Sequence, residues 1–547
     1  MKLLAKAQTR AWKFIALMFV MLLGQIANAQ QSILTIRANT KSVDIKDGTI
    51  FQKNIWSLSP EAKPDIYYVI EPEKEKGVTF YTDIDSISFD VKPGLAYDFI
   101  VLLNGRDTCY TQISSVLRDS LKKKSEVINI APALLLSDFT LLKEALQREH
   151  AGLYRYKNEN NFTQLSDSLS QTLNHSMNQF EFGALIRFFL SSIEDGHTGS
   201  NLPSELMQYY SEHIKMFPIQ LYFVDKRSFV LCSEFNELPP ETELLSIDKK
   251  GINDIRKELF RYLSSDGTIE TKKYWTLNSE AFQFLYSWVF GEKSNYTITY
   301  RNTTGEIKSI DLKADFIRES CAPTGHGDNN NYLQLDHRPN NIAILTIRTF
   351  SSERLRQTNE DFVTFLQSTF TEIKSKKVDK LIIDLRDNGG GDDEYGALLY
   401  SYLTDKSFRY FASIESTTRK FEVKDHRNLA VQNPSVNNFK KKVVFVINGL
   451  CFSTTADFCA IAKSDKRGKF VGEETGGAYY GNTSGETFKM SLPNSKINIA
   501  IPKNMYSNAV RKAKYHDRGI IPDYIVIPSI SDKIQSRDVQ LDYTLEL

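Results

Sequence analysis

The apolar positions of this chain change period along its length. From Gln31 to about Ser115 they alternate with polar ones in short runs, Ile33–Ile36, Val78–Tyr81, Ile87–Val91 and Tyr97–Leu103, separated by Gly, Pro and Asp. That alternation predicts a small β-sandwich. Near Ser120 the spacing lengthens: Phe139, Leu142 and Leu146 fall on one helical face, as do Phe182, Leu185, Phe188, Phe189 and Ile193, so residues 135–195 predict a helical bundle. From Asn341 onward apolar strands alternate with amphipathic helices: strand Ile342–Ile347, helix Phe362–Ile373, strand Leu381–Leu385, helix Tyr395–Leu403, strand Val443–Ile447 and a helix from Ser453. A hairpin, Phe488–Leu492 with Ile497–Ile501, follows. This β-α alternation calls for a mixed sheet with right-handed crossovers.

Two strand ends in that last region carry candidate chemistry. The run Val443–Ile447 breaks at Asn448-Gly449, and Ser453 stands where the strand hands over to the helix. A hydroxyl there is held by a rigid turn, and the free N–H groups of the first helical turn face any charge that develops beside it. The same position suits an ordinary N-cap serine, although Ala456 denies it a capping box. Cys451, two residues earlier, offers a thiol as the alternative nucleophile. The run Leu381–Leu385 ends in Arg386-Asp387-Asn388-Gly389-Gly390-Gly391, whose glycines expose backbone amides. No Gly-Lys-Ser/Thr accompanies them, which sets a phosphate loop aside in favour of an oxyanion site. Far upstream, Glu194-Asp195-Gly196-His197-Thr198 puts an imidazole on a tight turn past a helix, as a general base or as a hydrogen-bonded structural histidine.

Four segments in this order, Asp384–Gly391, Asn448–Asp457, Gly472-Glu473-Glu474-Thr475-Gly476-Gly477 and Gly519-Ile520-Ile521-Pro522-Asp523, resemble the C-terminal processing peptidase family of serine peptidases, in its tricorn-like branch. The resemblance implies a mixed α/β catalytic domain of the crotonase-like (ClpP/crotonase) type, acting on peptides or proteins with no cofactor and no metal. It implies Ser453 as nucleophile, His197 as base, and amides of Gly389, Gly390 and Thr454 as oxyanion hole. The family's lysine-dependent branch carries its base after the Thr-x-Gly step, where this chain has Ala478. The branch's third acid falls on His516, so the adjacent Asp517 is assigned the orienting role, with Asp195, Glu473 and Glu474 as substitutes. The segment Pro239–Asp248 is similar to the strand and turn of a PDZ domain, without its carboxylate-binding glycine loop.

The expected organisation is therefore a multidomain α/β chain with an all-β N-terminal domain: signal peptide 1–29, β-sandwich-like domain 30–118, helical bundle 119–212, PDZ-like domain 213–270, connecting β region 271–340, catalytic domain 341–530 and tail 531–547. The signal peptide rests on Lys2, Lys6, Arg10 and Lys13 before the apolar run Phe14–Leu23 and Ala27-Asn28-Ala29, and predicts export to the periplasm, outer surface or medium without a stable membrane span. At 547 residues, 41% hydrophobic and 25% charged, the composition is that of a globular protein, and a net charge of +1 supplies no basic excess for nucleic acid. Five cysteines without a Cys-x-x-Cys pair argue against a disulfide scaffold and a structural zinc site. A catalytically silent relative that binds peptide, glycan or lipid is the alternative to an enzyme; the oligomeric state is not legible.

Overall fold

The computed structural model describes the strands between residues 32 and 117, then residues 129–316 and 331–547. The expected signal peptide lies outside the described residues. The unit up to Val127 holds two antiparallel sheets. One orders Asp44–Ile45, Ser32–Arg37 and Ser86–Val91; the other orders Thr49–Ile55, Asp107–Leu117, Ala96–Leu103, Pro64–Ile70 and Val78–Tyr81. The alternation in the sequence predicts strands of this kind.

The unit from Ile128 to Leu547 is built on a six-stranded sheet in the order Leu333–Arg338, Ile342–Ile347, Lys380–Asp384, Lys442–Ile447, Lys469–Gly472 and Tyr524–Ile525. The first pair is antiparallel and the rest are parallel. Strand alternation sends Leu345, Ile383 and Phe445 to one face, where they form a core with Phe362, Leu366 and Phe370 of the helix Phe362–Ser375 and with Phe458 of the helix Thr454–Ser464. Ile344, Ile382 and Val446 point to the other face and are met by Leu541 and Leu545 of the helix Val539–Glu546. Burial on both faces is the reason these strands read as continuous apolar runs. Residues 531–547, expected as a tail, include a helix that closes one face of the sheet.

A second sheet joins distant parts of the chain. Its long strand Asn498–Asn508 pairs with Thr483–Ser491, with Phe411–Ser416 and with Gly199–Asn201. Gly199 stands opposite Ala500, so the chain that has just passed His197 is stitched to the hairpin that follows the six-stranded sheet's helices. The helices Pro132–Glu149, Glu159–Thr172 and Gln179–Ser191 share one core with Leu492, Ile497, Ile499 and Ile501 of that hairpin. Asn178 begins the third of them with a reciprocal capping box to Glu181.

A third, antiparallel sheet runs Gln220–Val224, Arg227–Cys232, Glu243–Ile247, Asn295–Arg301 and Ile307–Lys313. It packs with the helices Ile252–Phe260, Thr271–Leu277 and Ala281–Phe290. The sequence break at 270 is no break in this layer. Ile298 pairs with Ile247, so strands read as a connecting region belong to the same sheet.

Candidate active site

The helix Thr454–Ser464 begins at Ser453, whose backbone has φ 53° and ψ −129° and whose side chain makes no capping bond. A serine in the left-handed region, with its hydroxyl withheld from the helix it precedes, is strained for a purpose other than capping. The turn around it is braced from several sides. Asn448 Nδ2 donates to Asp387 Oδ1 at 2.8 Å while the Asp387 amide donates back to Asn448 Oδ1 at 3.1 Å, joining the two strand-end turns. Thr454 Oγ1 donates to the Gly391 carbonyl at 2.6 Å. Gly390, at φ 101°, lies so close that an added Cβ would stand 2.8 Å from Ser453 Cβ and 3.0 Å from the Thr454 amide.

That contact divides the expected oxyanion donors. The Gly390 amide donates to Asn388 Oδ1 at 2.9 Å, so it is spent within its own turn and is not a free donor. The Thr454 amide opens the helix, where N–H groups lack intrahelical acceptors. Gly389 is exposed with open space around it. The charged residues of the glycine motif are scaffold: Asp384 accepts from Arg386 and Arg348, both at 2.7 Å, and these guanidinium groups hold its carboxyl well below the usual range. The alternative nucleophile is buried. Cys451 Sγ donates to the Leu385 carbonyl at 3.0 Å, and burial pushes its thiol up, away from the reactive thiolate.

His197 and Ser453 line the same cavity of about 710 Å³, together with Gly391, Thr454, Tyr395, Phe411 and Tyr506. The imidazole lies 4.4 Å from the Phe452 ring, nearly parallel to it, and its Nδ1 is buried without a hydrogen-bond partner. Burial pulls it down to about 4, opposed by the Asp195 carboxylate and assisted by the Lys272 ammonium. It is therefore neutral at physiological pH, as a base must be.

The third residue expected with this pair is elsewhere. Asp517 Oδ2 accepts from Thr268 Oγ1 at 2.8 Å, and the neighbouring His516 stacks on Tyr480 at 5.2 Å. Of the substitutes, Glu474 is bound by Arg518 at 2.7 Å, and Glu473 is half-buried near Lys533. Asp195 does lie at the imidazole, but so does Asp266, which the sequence marks only as a turn with Gly267 at the exit of the PDZ-like segment: oxygens of both and a nitrogen of His197 fall within 4.8 Å of one another. Lys272 was missed as well. Its Nζ donates to the Gly196 carbonyl at 3.2 Å and sits 3.4 Å from the centroid of Phe452. Both belong to the Gln220–Lys313 layer, in a stretch whose sequence carries no periodic or motif signal, so only the fold reveals them.

Residues 341–526 match the family model described as Peptidase family S41. No curated protein matches the chain. Among solved structures, mature CPAF is 14% identical over 76% of this chain and 97% of its own, with a TM-score of 0.54. Mature CPAF complexed with lactacystin is 15% identical over the same shares, 76% and 97%, at 0.52. At that identity the likeness concerns the fold, and it extends beyond the family match into the preceding layers. Five of the six strands of the sheet, the glycine turn and the strained serine fall inside the matched segment, and residues 341–526 are thereby similar to the serine-type peptidases of family S41.

Proposed function

We propose that this chain is an exported peptidase that hydrolyses peptide bonds by a Ser-His mechanism. The observation that carries the reading is the strained Ser453, its hydroxyl free of capping, in one cavity with a neutral, half-buried imidazole. Ser453 Oγ attacks the scissile carbonyl carbon while His197 takes the hydroxyl proton. The oxyanion that forms is held by the Thr454 and Gly389 amides. As the carbon–nitrogen bond breaks, His197 returns the proton to the leaving amine, and water, activated by the same imidazole, then releases the acyl group from Ser453. Export is supported by the basic and apolar N-terminal pattern and by Cys232, which is disulfide-bonded, a state favoured outside the reducing cytosol.

A serine-reactive fluorophosphonate tests the assignment. Labelling is expected at Ser453 and nowhere else, and Ser453→Ala is expected to remove both labelling and peptide hydrolysis, by about ten-thousand-fold, with unfolding unchanged. Absence of labelling on folded protein would favour the silent relative.

A further inference from the structure

A histidine base needs an acceptor for the proton on its second nitrogen, both to fix the tautomer and to stabilise the imidazolium. Here Nδ1 of His197 is buried and unpartnered, which marks the place where that acceptor acts. Two carboxylates are close enough to serve, and their hydrogen bonds separate them. Asp195 is the more heavily engaged of the two. Its Oδ1 accepts from the His197 amide at 2.9 Å, the Thr198 amide at 2.9 Å and Thr198 Oγ1 at 3.0 Å, and its Oδ2 accepts from Thr483 Oγ1. His150 stands behind it, with Nε2 at 3.7 Å. With three donors on one oxygen and a buried threonine on the other, this carboxylate is committed to shaping the turn.

Asp266 is differently placed. It is only 1% exposed, yet each of its oxygens accepts a single bond, Oδ1 from the Gly196 amide at 2.7 Å and Oδ2 from the Ala478 amide at 3.2 Å. A carboxylate oxygen has room for a second donor. Gly196 permits the approach: a Cβ there would lie 2.9 Å from Asp266 Oδ1 and 2.7 Å from the Phe452 ring. We propose that Asp266, delivered by the layer preceding the peptidase sheet, is the positioning carboxylate of His197, with Lys272 as the cation that keeps it ionised beside Asp195. The proposal rests on the Ser-His reading. It explains why Asp517 is free to bind Thr268, which belongs to the same loop as Asp266, and why Ala478 suffices where a lysine-dependent relative has its base: here that position gives its amide to Asp266.

Asp195 on its own turn and Lys272 on the helix Thr271–Leu277 act on the imidazole; Asp266 on the neighbouring loop stands in the same cluster, and Arg155 and His150 act on the two carboxylates. Burial and the Asp195 charge raise Asp266 to about 6, with Lys272 pulling the other way. The same three groups could be read as metal ligands, but the nearby Lys272 ammonium opposes a cation.

The pH profile of kcat/KM decides the matter, measured on protein in which Ser453→Ala has been shown to abolish turnover; if that variant is active, the Ser-His reading itself has failed, whatever Asp266 does. Asp266→Asn is expected to lower kcat at least about 100-fold with KM nearly unchanged and to move the acid limb to lower pH. Lys272→Met, which leaves both amide bonds to Asp266 in place, is expected to move the limb to higher pH, and Lys272→Arg to restore it. Asp517→Asn should stay within about three-fold of the parent. Full activity in Asp266→Asn, or loss of activity with both limbs unmoved, overturns the proposal. Should Asp266→Asn not fold, the Lys272→Met limb alone decides, and an unmoved limb again overturns it. Activity that is lost to EDTA and restored by zinc would make the cluster a metal site and overturn it as well.

Discussion

Ser453 and Cys451 are separated by one residue and live in different surroundings. The serine lies on a strained turn against a cavity, whereas the thiol is tucked under the sheet end against the Leu385 carbonyl. Cys451→Ala should therefore keep hydrolysis within a few-fold of the parent while costing about 1–2 kcal/mol of stability for the lost packing, and the native thiol should resist iodoacetamide. Total loss of activity in a folded Cys451→Ala protein would return the thiol to candidacy. Asp457, one helical turn beyond Ser453, is 2% exposed, and burial raises it to about 7 from an ordinary 3.8. A group raised in the folded state contributes stability that is complete below its unfolded pKa and is lost as pH climbs through the folded one. The window is thus about pH 4 to 7, and the fall in stability between pH 5 and 8, read from urea midpoints, is expected to be about 2–3 kcal/mol smaller in Asp457→Asn than in the parent. Identical pH dependence in the two proteins would show that Asp457 is ionised throughout. At this scale the sequence was legible where a turn forces a residue's position, as at Ser453 and His197. It failed for the acid, because proximity of Asp517 to a motif says nothing about where the carboxylate points.

The elements that carry the site are two strand-to-helix turns pressed together, and their contact is what glycine provides. Alanine at 390 would put its Cβ 2.8 Å from both the Phe452 carbonyl and Ser453 Cβ, at a φ of 101° that L residues avoid, whereas Gly389 has open space around it. Gly390→Ala is expected to cut kcat/KM at least about 100-fold, and Gly389→Ala to leave it within about three-fold, since alanine retains the amide. The reverse order would mean that the glycine turn does not pack on the nucleophile in solution. The helix Asp393–Ser401 starts at the cavity, which Asp392, Asp393, Glu394 and Asp457 line against a single arginine, Arg356. Acids in a first turn also suit the helix dipole, and Asp393 is further engaged by Asn428 and His426. Even so, the field in the cavity favours cationic side chains. Peptides with Lys or Arg beside the scissile bond should be cleaved at least about ten times faster than those with Glu, a ratio that Glu394→Lys should shrink; equal rates for the three would remove charge from the specificity. Strands and helices of this region were readable to within a few residues because burial on both faces leaves unbroken apolar runs. The Gln220–Lys313 sheet was cut short in the sequence reading because its two halves are joined by helices, and only cross-strand pairs such as Ile247 with Ile298 reunite them.

Across the whole unit from Ile128 to Leu547, the site is assembled from segments that sequence keeps far apart: the His197 turn, the Asp266 loop, the glycine turn and the serine turn. What holds the glycine turn at its base is a buried charge cluster closed by the last helix. Arg386 is 4% exposed and bonds Asp384 through Nε at 2.9 Å and Asp538 at 2.6 and 2.8 Å. Asp384 is also shared with Arg348, so Asp538 supplies the second negative charge that two guanidinium groups require. Lys380 reinforces the same junction by donating to the Thr544 carbonyl at 2.7 Å, near the end of that helix, where a cation is favoured. Deleting one member of a buried pair costs more than the pair contributes, because the survivor remains desolvated without its counter-charge. Asp538→Ala should therefore lower stability by about 2–4 kcal/mol, read from the urea midpoint, and Leu541→Asp should do at least as much by placing a charge against Ile344, Ile382 and Val446. Because Arg386 leads directly into Asp387 and the glycines, the surviving folded fraction of Asp538→Ala should also lose turnover by several-fold, whereas Leu541→Asp acts from the far face and should lose stability more than turnover. Unchanged midpoints in both variants would mean that the helix Val539–Glu546 does not close the sheet in solution.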